Sequence, residues 1–331
     1  MSARIGITSS VPIEAIYAAG LGVIDLNNLF IETDAGWSLV EDAERRGFPE
    51  SSCAWIKGIY SAIKREGIGT VIAVTEGDCS NTHALMEVLE IEGIETVPFM
   101  YPYDRDARVL ALEIDKLCER VGTSRAEAER TRLEFETIRA KVREIDRLTW
   151  EEDKVGGFAN HYYQVSCSDM KGDPGGFGKE MDDFIASAEG AVALRGDLRL
   201  AYVGIPPIVS GIYSQVESFG GRVVFNELQR QFSMPYRSRD LVDQYLRYTY
   251  PYHIRHRIED IKSEIARRRI DGVIHYVQAF CFRQIEDLIL RKEIGLPVLT
   301  LEGNRPGKID LRSGVRIEAF MEMLRAQRSR R

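Results

Sequence analysis

The sequence predicts an α/β fold of two pseudo-symmetric parallel-sheet lobes joined by a helical segment. Three observations lead there. Short apolar, β-branched runs alternate with helical patterns that close on glycine. The alternation stops between about residues 104 and 195, where charge-rich helical patterns take over, and then resumes. The two alternating stretches also share internal spacings. Val71 precedes Cys79 and Val273 precedes Cys281 at one offset, and a glycine closes the following helix at one distance in both (Cys79 to Gly93, Cys281 to Gly295). Alternation of this kind indicates βαβ units and buried parallel strands of the Rossmann or flavodoxin type.

In order, "RIGITS" reads as a strand, "PIEAIYAAG" as a helix and "GVIDL" as a second strand. "CAWIKGIYSAIKREG" is a helix, "TVIAVT" a strand, "SNTHALMEVLEIEG" a helix and "ETVPFM" a strand. These make an N-terminal lobe over residues 1–103. Residues 104–195, with "SRAEAERTRLEFETIRAKVREIDRLTW", form the helical segment. The second lobe, 196–331, opens on "LRLAYVGIPP", a strand running into proline as "RIGITSSVP" does.

At 331 residues the chain can fill two ordinary cores. With 44% apolar and 29% charged residues it reads as soluble and globular. A net charge of −7 gives a nucleic-acid partner no electrostatic support. No apolar run reaches spanning length, and "MSARIGITSS" enters a strand directly, so neither a membrane nor a secretory path is expected. The expectation is a cytoplasmic protein.

Five cysteines, Cys53, Cys79, Cys118, Cys167 and Cys281, suit no disulfide framework in a reducing compartment. Buried inert thiols, one catalytic nucleophile or metal ligands remain. Cys118, inside "EIDKLCERVG", reads as core, and Cys167 falls in a loop-like stretch whose role stays open. Cys79 and Cys281 follow the carboxyl ends of predicted strands, where open parallel sheets gather ligands. Cys53 precedes a helix, so all three should sit at helix starts, where amides and the dipole favour thiolate. Zinc lacks its usual Cys-x-x-Cys pair. Three widely spaced thiolates suit an iron–sulfur cluster with one open iron.

In their order and spacing, several stretches resemble one family. "VPIEAIYAAGLGVI" looks like its opening motif, and "CAWIKGIY" and "GDCSNTHAL" like its first two cysteine motifs. "DGVIHYVQAFCFRQIEDLILRKEIGLPVLTLEGN" looks like its third, and "VRIEAFMEML" like its closing helix. The family is that of the 2-hydroxyacyl-CoA dehydratase / benzoyl-CoA reductase subunits of the D-component kind, with their short single-subunit relatives. The resemblance implies a [4Fe-4S] cluster on Cys53, Cys79 and Cys281, with one iron open to water, sulfide or substrate oxygen. It also implies a separate ATP-hydrolysing activator that injects low-potential electrons, and a homodimer or a heterodimer with a homologous subunit. The activity implied is radical dehydration of a 2-hydroxyacyl-CoA. ATP-driven reduction of another small molecule is the alternative, and a non-catalytic two-lobed binding protein is the alternative of a different class. The chain is short for the family and its closing motif reads "LRSGVRIEAF", which leaves the substrate open. A double cubane would want about six thiolates, three per cubane, so a single cubane is expected.

Glu14, with Ser10 nearby, reads as a first-turn carboxylate stabilising its helix. The resemblance implies instead a pair in the cleft acting on substrate hydroxyl or protons. Glu76 and Asp78 are expected beside the cluster, and His83 either at its edge or capping its helix. "PYRSRDLVDQYLRYTYPYHIRHR" reads either as a phosphate or adenine site or as an amphipathic helix with a wet basic face. "GDPGGFG" lacks the Lys-Ser/Thr of a P-loop, so ATP is expected on the partner.

Overall fold

In a computed structural model that describes residues 4–33 and 36–330, two parallel sheets follow one plan. Strands β1 (Arg4–Ile7), β2 (Gly22–Asp25), β3 (Thr70–Glu76) and β4 (Glu95–Met100) pair in the order β2-β1-β3-β4, all parallel. The second lobe contains β5 (Leu198–Gly204), the short β6 (Val209–Ser210), β7 (Gly221–Asn226), β8 (Gly272–Gln278), β9 (Val298–Gly303) and the short β10 (Gly307–Lys308). Its main sheet runs β7-β5-β8-β9, again all parallel, while β10 pairs separately with β6. Matching β5, β7, β8 and β9 to β1 through β4 gives the same order, which is the internal symmetry that the cysteine spacing foretold.

The strands form where helices cover both faces, so their sequences are nearly continuous apolar runs. Every residue of β7 and of β8 is buried. Helices end where glycine can turn the chain left-handed: Gly67 closes the Ala54–Glu66 helix at φ 63°. Gly93 and Gly295, the pair matched by spacing, have φ of 79° and 72°. They sit after equivalent helices and steer the chain into β4 and β9.

Four α-helices, Ala107–Val121, Arg125–Trp150, Gly157–Val165 and Pro174–Glu189, fill the stretch between the sheets. The long one starts at a reciprocal capping box between Ser124 and Glu127. These helices do more than connect. Their Leu117, Phe135 and Ile145 share one core with Ile7, Val74 and Phe99 of the first sheet. "GDPGGFG" is a helix start: the Asp173 side chain accepts from the Gly176 amide, and Pro174 takes the first turn.

The Tyr-rich stretch exposes Arg237, Arg239, Arg247 and Arg255, as its amphipathic reading expects, while its tyrosines turn inward. Tyr245, Tyr248, Tyr250 and Tyr252 are buried. Tyr101, just after β4, packs edge-on against Tyr248 and Tyr252. Arg257 is buried between Glu227 and Glu286. The segment is the seam between the lobes, where a phenol can bury its ring and still place its hydroxyl on a partner.

Candidate functional site

The two sheets direct their carboxyl ends into one crevice. Thr8, Ser9 and Ser10 enter it directly after β1, Asp25 at the end of β2, and Cys79 three residues beyond β3. From the other lobe come Ile205 after β5, Leu228 after β7, and Cys281 three residues beyond β8. Cys53 joins them as the residue that opens the Ala54–Glu66 helix. The cavity they enclose measures about 120 Å³. Such a crevice, beyond the strand ends of open parallel sheets, is where this architecture binds ligands.

Backbone amides lie near each of the three thiols, although Cys53 and Cys281 make no side-chain cap hydrogen bond. The amides of Trp55 and Ile56 lower Cys53, that of Asn81 lowers Cys79, and that of Arg283 lowers Cys281. The sequence suggested that these helix starts would favour thiolate, but burial wins. Desolvation pushes Cys79 up to about 12, with Asp78 and the neighbouring thiols adding to it. Desolvation pushes Cys281 up to about 11, and Cys53 is raised for the same reason. Like-charge repulsion adds to this, from Cys53 and Cys281 at Cys79 and from Cys53 at Cys281, as it does for groups that share a small volume. A cation is what such a set calls for, since a bound metal removes the penalty of three adjacent negative sulfurs.

The donor set fits a sulfur-rich anionic cluster in a second respect. Ser10 Oγ, Trp55 Nε1 and Arg283 Nε belong to the cavity wall, are buried, and have no hydrogen-bond partner within the chain. Donors beside a cluster stabilise its sulfurs and tune its potential. Among the described residues no three His, Cys, Asp or Glu side chains close to the spacing of a single bound ion. A cubane asks for a wider arrangement, because each thiolate takes its own iron.

Arg283 and Asp78 tie the site together across the lobes. The Arg283 guanidinium donates to the carbonyls of Gly77 (3.2 Å) and Tyr250 (3.1 Å), pairs with Glu286 (3.1 Å) and lies over the Tyr250 ring. The Tyr250 hydroxyl donates to Asp78 at 2.7 Å. Burial raises the Asp78 carboxyl, and Arg283 opposes that rise.

The other expected residues are distributed differently. Ser10 lines the cavity, whereas Glu14 does not. Glu14 is fully buried and accepts from Arg139 (2.7 Å), Gln244 (2.7 Å) and Tyr245 (2.8 Å), binding its helix to the helical segment and to the seam. Glu76 ends β3 outside the cavity, and His83 is hydrogen-bonded to the Thr75 carbonyl at 2.8 Å. Cys118 is buried within its helix, and Cys167 is buried in a short turn, Ser166–Ser168. Neither lines the cavity. Sequence reasoning missed Arg283, Tyr250 and His161, all of which do. For Arg283 the available signal was a cation two residues after the third cysteine.

The model of one protein family, 2-hydroxyglutaryl-CoA dehydratase, D-component, matches residues 8–324. The chain belongs to that family. It is therefore a dehydratase-type enzyme subunit, and the match spans both lobes and the helices between them. The comparison with curated proteins returns no match. Among the described residues, no helix of this D-component relative is long and apolar enough to cross a membrane.

Proposed function

We propose that this subunit holds one [4Fe-4S] cluster on Cys53, Cys79 and Cys281. We further propose that, supplied with single electrons by an ATP-hydrolysing activator, it dehydrates a 2-hydroxyacyl-CoA. The observation that carries the reading is the convergence of three thiols, two from one lobe and one from the other, on one cavity of a D-component family member. A cluster bound there supplies one-electron transfer and an iron with an open coordination position.

The chain's own residues have separable tasks. The amides at Cys53, Cys79 and Cys281 and the Arg283 guanidinium stabilise negative charge on sulfur. Ile56, Ile59, Leu228 and Phe232 form apolar wall that limits water around a reactive radical. Asp78, held by Tyr250 and facing Arg283, and Asp25 at the end of β2 give the cleft two carboxyls that burial raises above the ordinary carboxylate range.

The test is the iron content of anaerobically purified protein. One cubane means about four irons per chain. Cys53→Ser, Cys79→Ser and Cys281→Ser should each lose the brown chromophore, and Cys118→Ala should keep it. Full iron loading in Cys281→Ser would end the assignment, because the convergence of the two lobes depends on that residue.

A further inference from the structure

His161 lies on the Gly157–Val165 helix, in the cavity wall, and is only 9% exposed. Its protonation can be deduced from its neighbours, although the ring alone leaves it ambiguous. Gly157 O can only accept, and Asn226 Nδ2 lies 3.1 Å from it, so that atom is the amide nitrogen. The same nitrogen donates to Asn160 Oδ1 at 2.8 Å, while Asn160 Nδ2 donates to Asp146 Oδ1 at 3.1 Å. Asp146 is itself fixed by the Arg268 guanidinium at 2.8 and 2.6 Å. Asn226 therefore presents its oxygen to Tyr213, whose hydroxyl donates to it at 2.8 Å. A phenol has one proton to give. With it committed to Asn226, the contact of 3.0 Å between Tyr213 Oη and His161 Nδ1 is made only if Nδ1 carries hydrogen.

That leaves Nε2 with a lone pair. No described residue gives Nε2 a hydrogen bond. Burial alone holds the His161 ring down to about 4, so the ring is neutral near pH 7. Nε2 is not among the atoms sealed from solvent without a partner, so it remains accessible and can accept from a donor that a ligand brings, whereas a ligand that covers it without a donor leaves it unpaired. A cationic ring has no carboxylate against it here, so the nitrogen acts as an acceptor and not as a base.

We propose that His161 Nε2 is the cleft's hydrogen-bond acceptor for a ligand donor and, resting on the function proposed above, that this donor is the substrate's 2-hydroxyl group. Tyr213, Asn226 and Asn160 are then positioning residues that hold the acceptor form. A site built this way favours the hydroxylated ligand over the otherwise identical one without it, because the latter leaves the nitrogen unpaired. It selects for the group that dehydration removes.

The test uses the anaerobically purified full chain with ¹⁵N-labelled histidine, and 2-hydroxyglutaryl-CoA and glutaryl-CoA as probes. The free protein should show His161 protonated on Nδ1 and bare on Nε2. Tyr213→Phe should give a mixture of tautomers. 2-Hydroxyglutaryl-CoA should bind about tenfold more tightly than glutaryl-CoA, the worth of one hydrogen bond, and should move the Nε2 resonance. The preference should vanish in His161→Ala and return in part in His161→Gln, whose amide reaches the same place. A proton found on Nε2 overturns the inference. Equal binding of both probes with the His161 signal unmoved also overturns it, while leaving the acyl-CoA reading intact. If neither probe binds, the acyl-CoA reading fails and the hydroxyl assignment goes with it.

Discussion

Asp169 and Asp25 are neighbouring carboxyls, and both are buried. Asp169 Oδ2 accepts from the Asp25 amide and its Oδ1 from the Lys171 amide, yet burial, with the Asp25 charge next, pushes its carboxyl from 3.8 up to about 7. The folded protein therefore holds a proton that the unfolded chain has already released. The stability this proton brings is complete below the unfolded value and is lost as pH rises through about 7. Unfolding free energy from denaturant titration should fall between pH 5 and pH 8, and Asp169→Asn should flatten that slope. An unchanged slope would place the linkage elsewhere. Glu14 is the opposite case, a carboxylate with ample partners. Arg139→Ala should destabilise the fold by about 3–5 kcal/mol, because it leaves the Glu14 charge buried with its cation gone; thermal melting at neutral pH measures it. Glu14 was legible as a helix-start acid but not as part of the seam. Its partners lie 125 to 231 residues away, and no local pattern carries that information. The three cleft cysteines were legible for the converse reason: each is placed by its own strand end or helix start.

Elements were read well where a local signal and a tertiary demand agree. The alternation of apolar strands and Gly-ended helices survives folding because both faces of each sheet are covered. The matched glycines Gly93 and Gly295 adopt the same left-handed turn. The Tyr-rich segment was legible as amphipathic but not as the seam, because its pattern looks the same whether its apolar face meets one lobe or two. The symmetry is broken usefully in one place. The helix before β3 opens on Cys53, whereas the helix before β8 opens on His253, which only accepts from the Arg255 amide. The third sulfur is thus a property of the first lobe alone. The turn that presents Cys79 has its own requirement. Gly77 has φ 91°, and a Cβ there would stand 2.7 Å from Pro251 Cβ and 2.8 Å from its carbonyl oxygen. Gly77→Ala should cost about 1–3 kcal/mol through strain at that turn and should lower iron retention by moving Cys79 relative to Cys281. Wild-type stability together with wild-type iron would show that the loop does not constrain the sulfur.

At the scale of the molecule, the site exists because two similar lobes face each other, and the lobes are tied by contacts at the site itself. Arg283 reaches from the second lobe to Gly77, and Tyr250 reaches Asp78. A cleft closed by its own wall can exclude water, but it cannot make an electron. The chain's Gly-rich stretch is a helix start in which Lys179 is followed by Glu180 in place of the P-loop Ser or Thr, and a 3-10 turn in place of a strand precedes it, so we predict no intrinsic ATPase activity and no turnover with nicotinamide cofactors. Radical chemistry at an open iron needs a donor near the bottom of the iron–sulfur potential range. Reduction should therefore require an ATP-hydrolysing iron–sulfur partner, or a strong chemical reductant, without oxygen. With a net charge of −7, the subunit should meet a basic face on that partner, and coupling should weaken as salt rises. Stopped-flow absorbance of the cluster on mixing with reduced activator, with and without ATP and at two ionic strengths, measures both effects. Cluster reduction should be fast only with ATP and slower at high salt. Reduction by an ordinary ferredoxin at the same rate without ATP would remove the reason to couple this cleft to an energised donor, and would favour an electron-transfer or binding role for the two lobes.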